Sequence, residues 1–408
     1  MPGPESGKAS HTPVYRGTVR RRLRLLAAAA AVALLAGCSS ASEAADACVL
    51  RPASSIVPEQ GALLGVNLDW DARTLSDYST ALGRPPAVAV AFADVPFAGD
   101  DRAEVREAAE QLRAVGGTLL LTLEPAEGLA AVTEEVADEV AALLADLNDA
   151  GVPVVLRFAH EMNGSWYAWG QQPAEYVETF RRVAAAVHAQ APGSSLMWAP
   201  NSAEGYPFEG GASAAQPGTS RFALLDTTAD GVLTPEDDPY APYYPGDDAV
   251  DWVGMSLYHW GSAYPWGENE LPEEGKFAAQ LTGTYDGAAG DETAAPDFYT
   301  TYGVEHGKPV AIPETAALVV PRGDAAGELA IKQAWWRQVL SAETAERFPQ
   351  LKMINWFEWD KFEPEVQDTV DWTAVNDPAT REAFRADLPE WLVAADLDDR
   401  CTARTVTG

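Results

Sequence analysis

The sequence predicts an α/β chain closed into a (β/α)8 barrel, and two observations predict it. Eight short apolar runs of strand length alternate with amphipathic segments of helical period. Two of those runs, the fourth and the seventh, end abruptly in a glutamate, Glu161 and Glu314. Strand–helix alternation requires right-handed crossovers and a parallel sheet. Eight such units in one chain close that sheet, with the chemistry on the loops after the strands. An open doubly wound sheet is the other arrangement, but no G-x-G-x-x-G follows any run and no Walker loop is present.

Taken in order, the chain starts with an export signal. Arg20, Arg21, Arg22 and Arg24 precede an apolar run from Leu25 to Ala36, too short for an ordinary membrane-spanning helix. The run closes in Leu35-Ala36-Gly37-Cys38, which resembles the lipobox of bacterial lipoproteins and implies lipidation at Cys38. Cleavage by ordinary signal peptidase is the alternative, and the basic lead fits Sec or Tat export equally. The expected organisation is a signal over residues 1–37, a tether over 38–55, the barrel over 56–400 and a tail over 401–408. The expected location is outside the cell, held at its surface by lipid or released. Cys48 and Cys401, at opposite ends of the mature chain, are then expected to pair in an oxidising compartment.

The strands are expected at residues 62–68, 87–93, 118–124, 152–159, 196–200, 250–258, 309–314 and 353–357. Helices are expected at 100–115 and 133–150, where apolar residues recur at three- and four-residue spacing and stop at Gly116 and Gly151. The segments 173–190, 325–344 and 377–397 fit the same description, and 71–82 does so more weakly. Two connections, 201–247 and 259–302, are long enough to serve as walls or lids of a site. The acidic balance, 61 Asp and Glu against 28 Lys and Arg, argues against nucleic acid or an anionic membrane surface as partner.

Within the first long connection, residues 226–237 resemble an EF-hand loop. Asp226, Thr228, Asp230 and Thr234 fall at positions one, three, five and nine, Gly231 at six and Asp237 at twelve. A structural calcium ion is expected there, with the carbonyl of Val232 as a further ligand, and its role would be to stiffen the loop. Position three lacks a carboxylate, position twelve is Asp rather than Glu, and no clear helix follows.

The fourth strand leads into Arg157, His160, Glu161 and Asn163, then Trp166, Tyr167 and Trp169. Alternation along a strand places Arg157, Ala159 and Glu161 on one face. The same parity groups Val310, Ile312 and Glu314 on the seventh strand. Glutamates ending the fourth and seventh strands face each other across a barrel mouth. Glycoside hydrolysis needs that pairing, one carboxyl to protonate the leaving oxygen and one to attack the anomeric carbon or activate water. His160-Glu161 lacks the second histidine of a zinc-protease helix, and five histidines in all make a His-rich metal centre a poor fit. No G-x-S-x-G is present for a serine hydrolase.

The stretch from Arg157 to Gly170 resembles the acid/base region of glycoside hydrolase family 26. Tyr244 to Asp247 with Val250 to Gly254 resembles that family's sixth-strand region. Ile312-Pro313-Glu314 is similar to its nucleophile strand and Asn355-Trp356 to its last strand. The resemblance implies a retaining glycosidase, cofactor-free in its chemistry, with Glu161 as general acid/base and Glu314 as nucleophile. It implies that Tyr258 bonds Glu314, that His160 and Arg157 hold the carboxylates, and that Trp356 floors a sugar subsite. Asn163, Trp166 and Trp169 complete the implied sugar-contacting set. A monomer acting on β-1,4-mannan is expected. The same mechanism on mixed-linkage β-glucan or xylan is the alternative within enzymes, and a barrel that only binds carbohydrate is the alternative outside them.

Overall fold

The structure is a computed structural model that describes residues 49–50, 52–262, 266–287, 290–291, 295–397 and 401–402. The expected export signal, Cys38, Cys48 and the end of the tail lie outside the described residues. Among the described residues no helix is long and apolar enough to cross a membrane.

Eight parallel strands form a closed barrel: β1 (Ala62–Leu68), β2 (Val88–Asp94), β3 (Thr118–Glu124), β4 (Val154–Phe158), β5 (Ser194–Trp198), β6 (Trp252–Gly254), β7 (Val310–Thr315) and β8 (Leu351–Glu358). Each pairs with the next. The barrel is shut by β8 on β1, in register from Met353↔Leu63 to Glu358↔Leu68. The strands are apolar on both faces because both are buried. Leu120, Val155, Met197, Trp252, Ala311 and Met353 fill the interior, joined near the N-terminal ends by Ile56. Val66, Leu121, Leu156, Ile312 and Ile354 point outward into the layer shared with the helices.

The helices are α1 (Leu75–Leu82), α2 (Asp101–Val115), α3 (Glu134–Asp149), α4 (Pro173–Gln190), α5 (Ser220–Leu225), α6 (Lys276–Leu281), α7 (Ala325–Val339), α8 (Ala342–Arg347) and α9 (Pro378–Asp387). Local chemistry sets their limits. Thr133 caps α3 by accepting from the amide of Val136, and Pro173 opens α4 where no amide donor is needed. The single helix expected over 325–344 is two helices. Ser341 breaks it by capping the amide of Thr344. The helix expected over 377–397 stops at Asp387 before Pro389, and Leu392–Val393 then lies parallel to Ala62–Leu63 as a ninth strand. Val49–Leu50 pairs antiparallel with Cys401–Thr402, so the two ends of the domain meet.

Candidate active site

Both glutamates reach the mouth of the barrel by a departure from strand geometry rather than by parity. β4 stops at Phe158, short of the expected end, and Ala159 and Glu161 then take φ of 47° and 54°. Left-handed backbone at non-glycine residues is uncommon and concentrates at functional sites. The turn is held from both sides. The amide of Glu161 donates to the carbonyl of Ala199 at 2.8 Å, and that of Gly164 donates to the carbonyl of Glu161 at 2.9 Å. Gly164 has no room for a side chain, since a Cβ there would lie 2.3 Å from the Trp166 indole. Ala159 faces the outer layer, apart from Arg157.

On β7, Val310 and Ile312 also face outward, and strict alternation would send Glu314 with them. The register against β8 slips between Ile312 and Thr315, and this bulge turns Glu314 inward. Thr315 completes the turn outward, accepting at 2.9 Å from Nε1 of Trp335 on α7.

The inner face of β4 supplies Arg157, fully buried. Its Nη1 donates to Glu314 Oε1 at 2.5 Å and its Nη2 to Ser256 Oγ at 2.8 Å. Tyr258 donates its hydroxyl to Glu314 Oε2 at 2.7 Å, so each oxygen of Glu314 has a donor. Burial, and then the charge of Glu314, keeps the Tyr258 phenol in its neutral, donating form. Glu161 is placed differently. Burial first and the charge of Glu314 second push its carboxyl up to about 7, opposed first by the charge of Arg157. One carboxyl is thus protonated near neutrality beside another that is clamped by a guanidinium and a phenol.

The remaining expected site residues divide. Trp166 is half-buried and meets Phe208 edge-on at 5.1 Å. His160 is buried among Phe92, Tyr167 and Trp169. Burial and the nearby Arg157 hold the His160 imidazole neutral. Trp169 is buried, stacked on Tyr167 at 4.3 Å, with its Nε1 donating to the carbonyl of His160. Asn163 uses its whole amide on Asn201, donating to its carbonyl and accepting from its N–H. Asn163 and Trp169 therefore shape the turn that carries Glu161, and neither offers a free polar atom to a sugar.

Trp356 requires a correction. It faces outward between Trp336 of α7 and Phe384 of α9, donates to the carbonyl of Trp372, and is 2% exposed. It floors no cleft. Its neighbour Phe357 turns the other way, 5.7 Å from Tyr258, and stacks on the half-buried Trp359 at 5.8 Å. Trp359 in turn donates to Asn67 Oδ1 at the end of β1. Trp359 and Ser256 are the residues that sequence reasoning missed. Ser256 carried a signal: a small polar residue two positions before Tyr258 in an otherwise apolar run.

In the 226–237 loop, Asp226 accepts from the amides of Asp230 and Gly231 and from the Thr228 hydroxyl. Asp237 accepts from Thr227, Thr228 and Thr234, its two oxygens taken by the loop itself. Among the described residues no three acidic, histidine or cysteine side chains are grouped to hold a metal. The Thr228 hydroxyl meets Asp226 at 3.4 Å, whereas the Asp230 carboxylate accepts from the amide of Val232, and Asp237 would have to leave its present donors to join a metal site.

Residues 121–218, which run from β3 through the Glu161 turn, match the model of glycosyl hydrolase family 26. A β-1,3-xylanase of a Vibrio species is 25% identical over 247 residues, covering 58% of this chain and 45% of the relative. Endoglucanase H of Acetivibrio thermocellus is 26% identical over 172 residues, 40% of this chain and 16% of the relative. The chain thus spans less than half the length of these curated relatives. Among solved structures, a modular endo-β-1,4-mannanase from Cellulomonas fimi superposes with a TM-score of 0.53 at 20% identity, over 88% of this chain and 79% of that one. A Bacillus endo-β-1,4-mannanase catalytic domain gives 0.51 at 17%, over 84% and 93%. At such identities the structural likeness is one of fold.

Proposed function

We propose that the chain is a glycosyl hydrolase of family 26, whose model its residues 121–218 match, and that it acts as a retaining glycosidase on a β-linked polysaccharide, with β-1,4-mannan the first substrate. The observation that supports this reading is the unequal treatment of two carboxyls at one mouth. Glu314 is gripped by Arg157 and Tyr258, and Glu161 is kept protonated to about pH 7. In the first step a Glu314 oxygen bonds the anomeric carbon as the glycosidic C–O bond breaks, and the leaving oxygen takes the proton of Glu161. In the second, water bonds the anomeric carbon, gives its proton to Glu161 and releases Glu314.

A second substrate, β-1,3-xylan, is favoured by the sequence relatives, since the first of them is a β-1,3-xylanase. Polysaccharide is the only partner this reading needs, and the chemistry uses no cofactor. A calcium ion in the 226–237 loop is proposed as a structural element apart from the chemistry, supported by the EF-hand-like spacing of its oxygen-bearing residues and by the meeting of the Asp226 and Thr228 side chains.

The test is reducing-sugar release from mannan, mixed-linkage glucan and β-1,3-xylan, with the first product's anomeric configuration followed by NMR. Retained configuration on one of the three is expected. Inverted configuration would make Glu314 a base, and binding without release would leave a carbohydrate-binding barrel.

A further inference from the structure

The turn that bears Glu161 carries a second loop with it. The side-chain amide of Asn163 donates to and accepts from the backbone of Asn201, and Gln171 donates to the carbonyl of Pro207 at 2.9 Å. The amide of Gly211 donates to Ser165 Oγ at 3.2 Å and that of Ser213 to the carbonyl of Ser165 at 2.9 Å. The Ser213 hydroxyl donates to the carbonyl of Tyr167 at 2.6 Å. A Cβ on Gly211 would collide with the Ser165 carbonyl, so the two segments touch backbone to backbone.

Phe208 lies in the middle of this loop. Its φ is 56°, a left-handed value that a bulky residue seldom takes. Its ring is half-buried, crossing Trp166 at 77° and 5.1 Å and the buried Tyr206 at 89° and 5.6 Å. Trp166 lies against Gly164, whose amide closes the Glu161 turn. A loop that only needed to shield Phe208 from water would bury it on a relaxed backbone. Here a strained backbone holds a partly open ring beside the turn.

We infer that Phe208 is a specificity-determining residue that binds the sugars of the leaving chain, on the far side of the bond that is cut. It does so on the retaining reading above, in which Glu161 protonates the leaving oxygen. Whatever is fastened to the Glu161 turn therefore borders the path of the leaving chain. An aromatic ring suits that place, because the C–H face of a sugar packs on it and leaves the hydroxyls to water. The same surface receives an acceptor in the second step. A sugar hydroxyl then gives its proton to Glu161 as its oxygen bonds the anomeric carbon and Glu314 is released. Water and sugar compete for one glycosyl-enzyme and share one base. The ratio of transfer to hydrolysis thus reports acceptor binding and is blind to the strength of Glu161.

The experiment offers the enzyme a β-glycosyl fluoride of the saccharide that the wild type releases, with a free oligosaccharide as acceptor. Fluoride is a single atom, so its departure leaves the acceptor side open. The wild type is expected to form transfer products. With acceptor below saturation, Phe208→Ala should lower the ratio of transfer to hydrolysis by about tenfold. Phe208→Leu, which keeps apolar bulk without the ring and guards against a folding defect, should lower it by about fivefold. Phe208→Tyr should stay within about twofold of the wild type. Thermal unfolding of each variant controls for folding. An unchanged ratio in the Ala and Leu variants would overturn the inference even if hydrolysis slowed, because that is what a weakened support of Glu161 would give. A wild type that passes sugar to no acceptor would overturn it too. Inverted configuration of the wild-type product would instead remove the retaining reading beneath it.

Discussion

The end of β4 and the end of β7 present the same residue type to the same cavity and treat it in opposite ways. At β4 the strand stops early and a left-handed turn carries Glu161 into a place where burial and a neighbouring charge hold its proton to about pH 7. At β7 the strand continues, and a bulge turns Glu314 onto Arg157 and Tyr258. On the proposed mechanism, the difference teaches that acid and nucleophile would be assigned by what faces each carboxyl, since sequence supplies a glutamate in both.

Removing the proposed nucleophile should break the comparison most severely. Glu314→Ala is expected to lower kcat on polysaccharide by about 10^4-fold or more, with no covalent glycosyl-enzyme detectable by mass spectrometry. Retention of more than a few per cent of activity would place the nucleophile elsewhere. Glu161→Ala is expected to cost about 10^2 to 10^4 on polysaccharide and far less on activated aryl glycosides, whose leaving groups need no proton. Azide should partly rescue it with retained configuration. The pH dependence carries the same sign: Glu161 must be protonated to act as the acid, so wild-type kcat/KM on polysaccharide should fall as pH rises through about 7. Loss of that limb in the Ala variant is expected, and an equal penalty on both substrate types would deny Glu161 its role.

The smallest effect belongs to the 226–237 loop, which serves as a control remote from the pair. Chelation should lower the melting temperature by a few degrees, since an ion bound only to the folded state stabilises it by mass action. Asp230→Ala should remove that sensitivity and leave the alkaline limb in place. An unchanged melting temperature would mean that the loop is closed by its own amides alone.

The barrel was legible because burial on both faces writes each strand as an apolar run, and each run was found within two or three residues of its place, apart from an overlong sixth. Which way a side chain points from such a run was not legible. A strand apolar on both faces gives no period to read. Trp356 and Phe357 are therefore indistinguishable as neighbours in sequence, although one packs under α7 and the other faces Tyr258. The alternation rule turned Glu161 and Glu314 toward one mouth for a reason that the structure replaces. It assumed regular strands at the two positions where β4 ends and β7 bulges. Both events are changes of a few dihedral angles, and residues such as Ala159 carry no compositional mark of them. The break at Ser341 was marked only by a residue type that favours helix N-caps, its hydroxyl accepting from the backbone amide three residues on.

The seam between β8 and β1 has a consequence for how the chain acquires its structure. Residues 351–358 must find residues 62–68, almost the whole domain away, before either edge is covered. Contacts that distant in sequence form late and slowly, because loop closure is unfavourable until the pairing rewards it. A chain emerging from its N-terminus therefore carries the apolar edge of its first strand unpaired until nearly the last helix has been made. Any truncation before Leu351 leaves two open edges in place of a barrel, each a template for pairing with another chain. Solubility of such fragments, rather than their activity, would be the first property to fail.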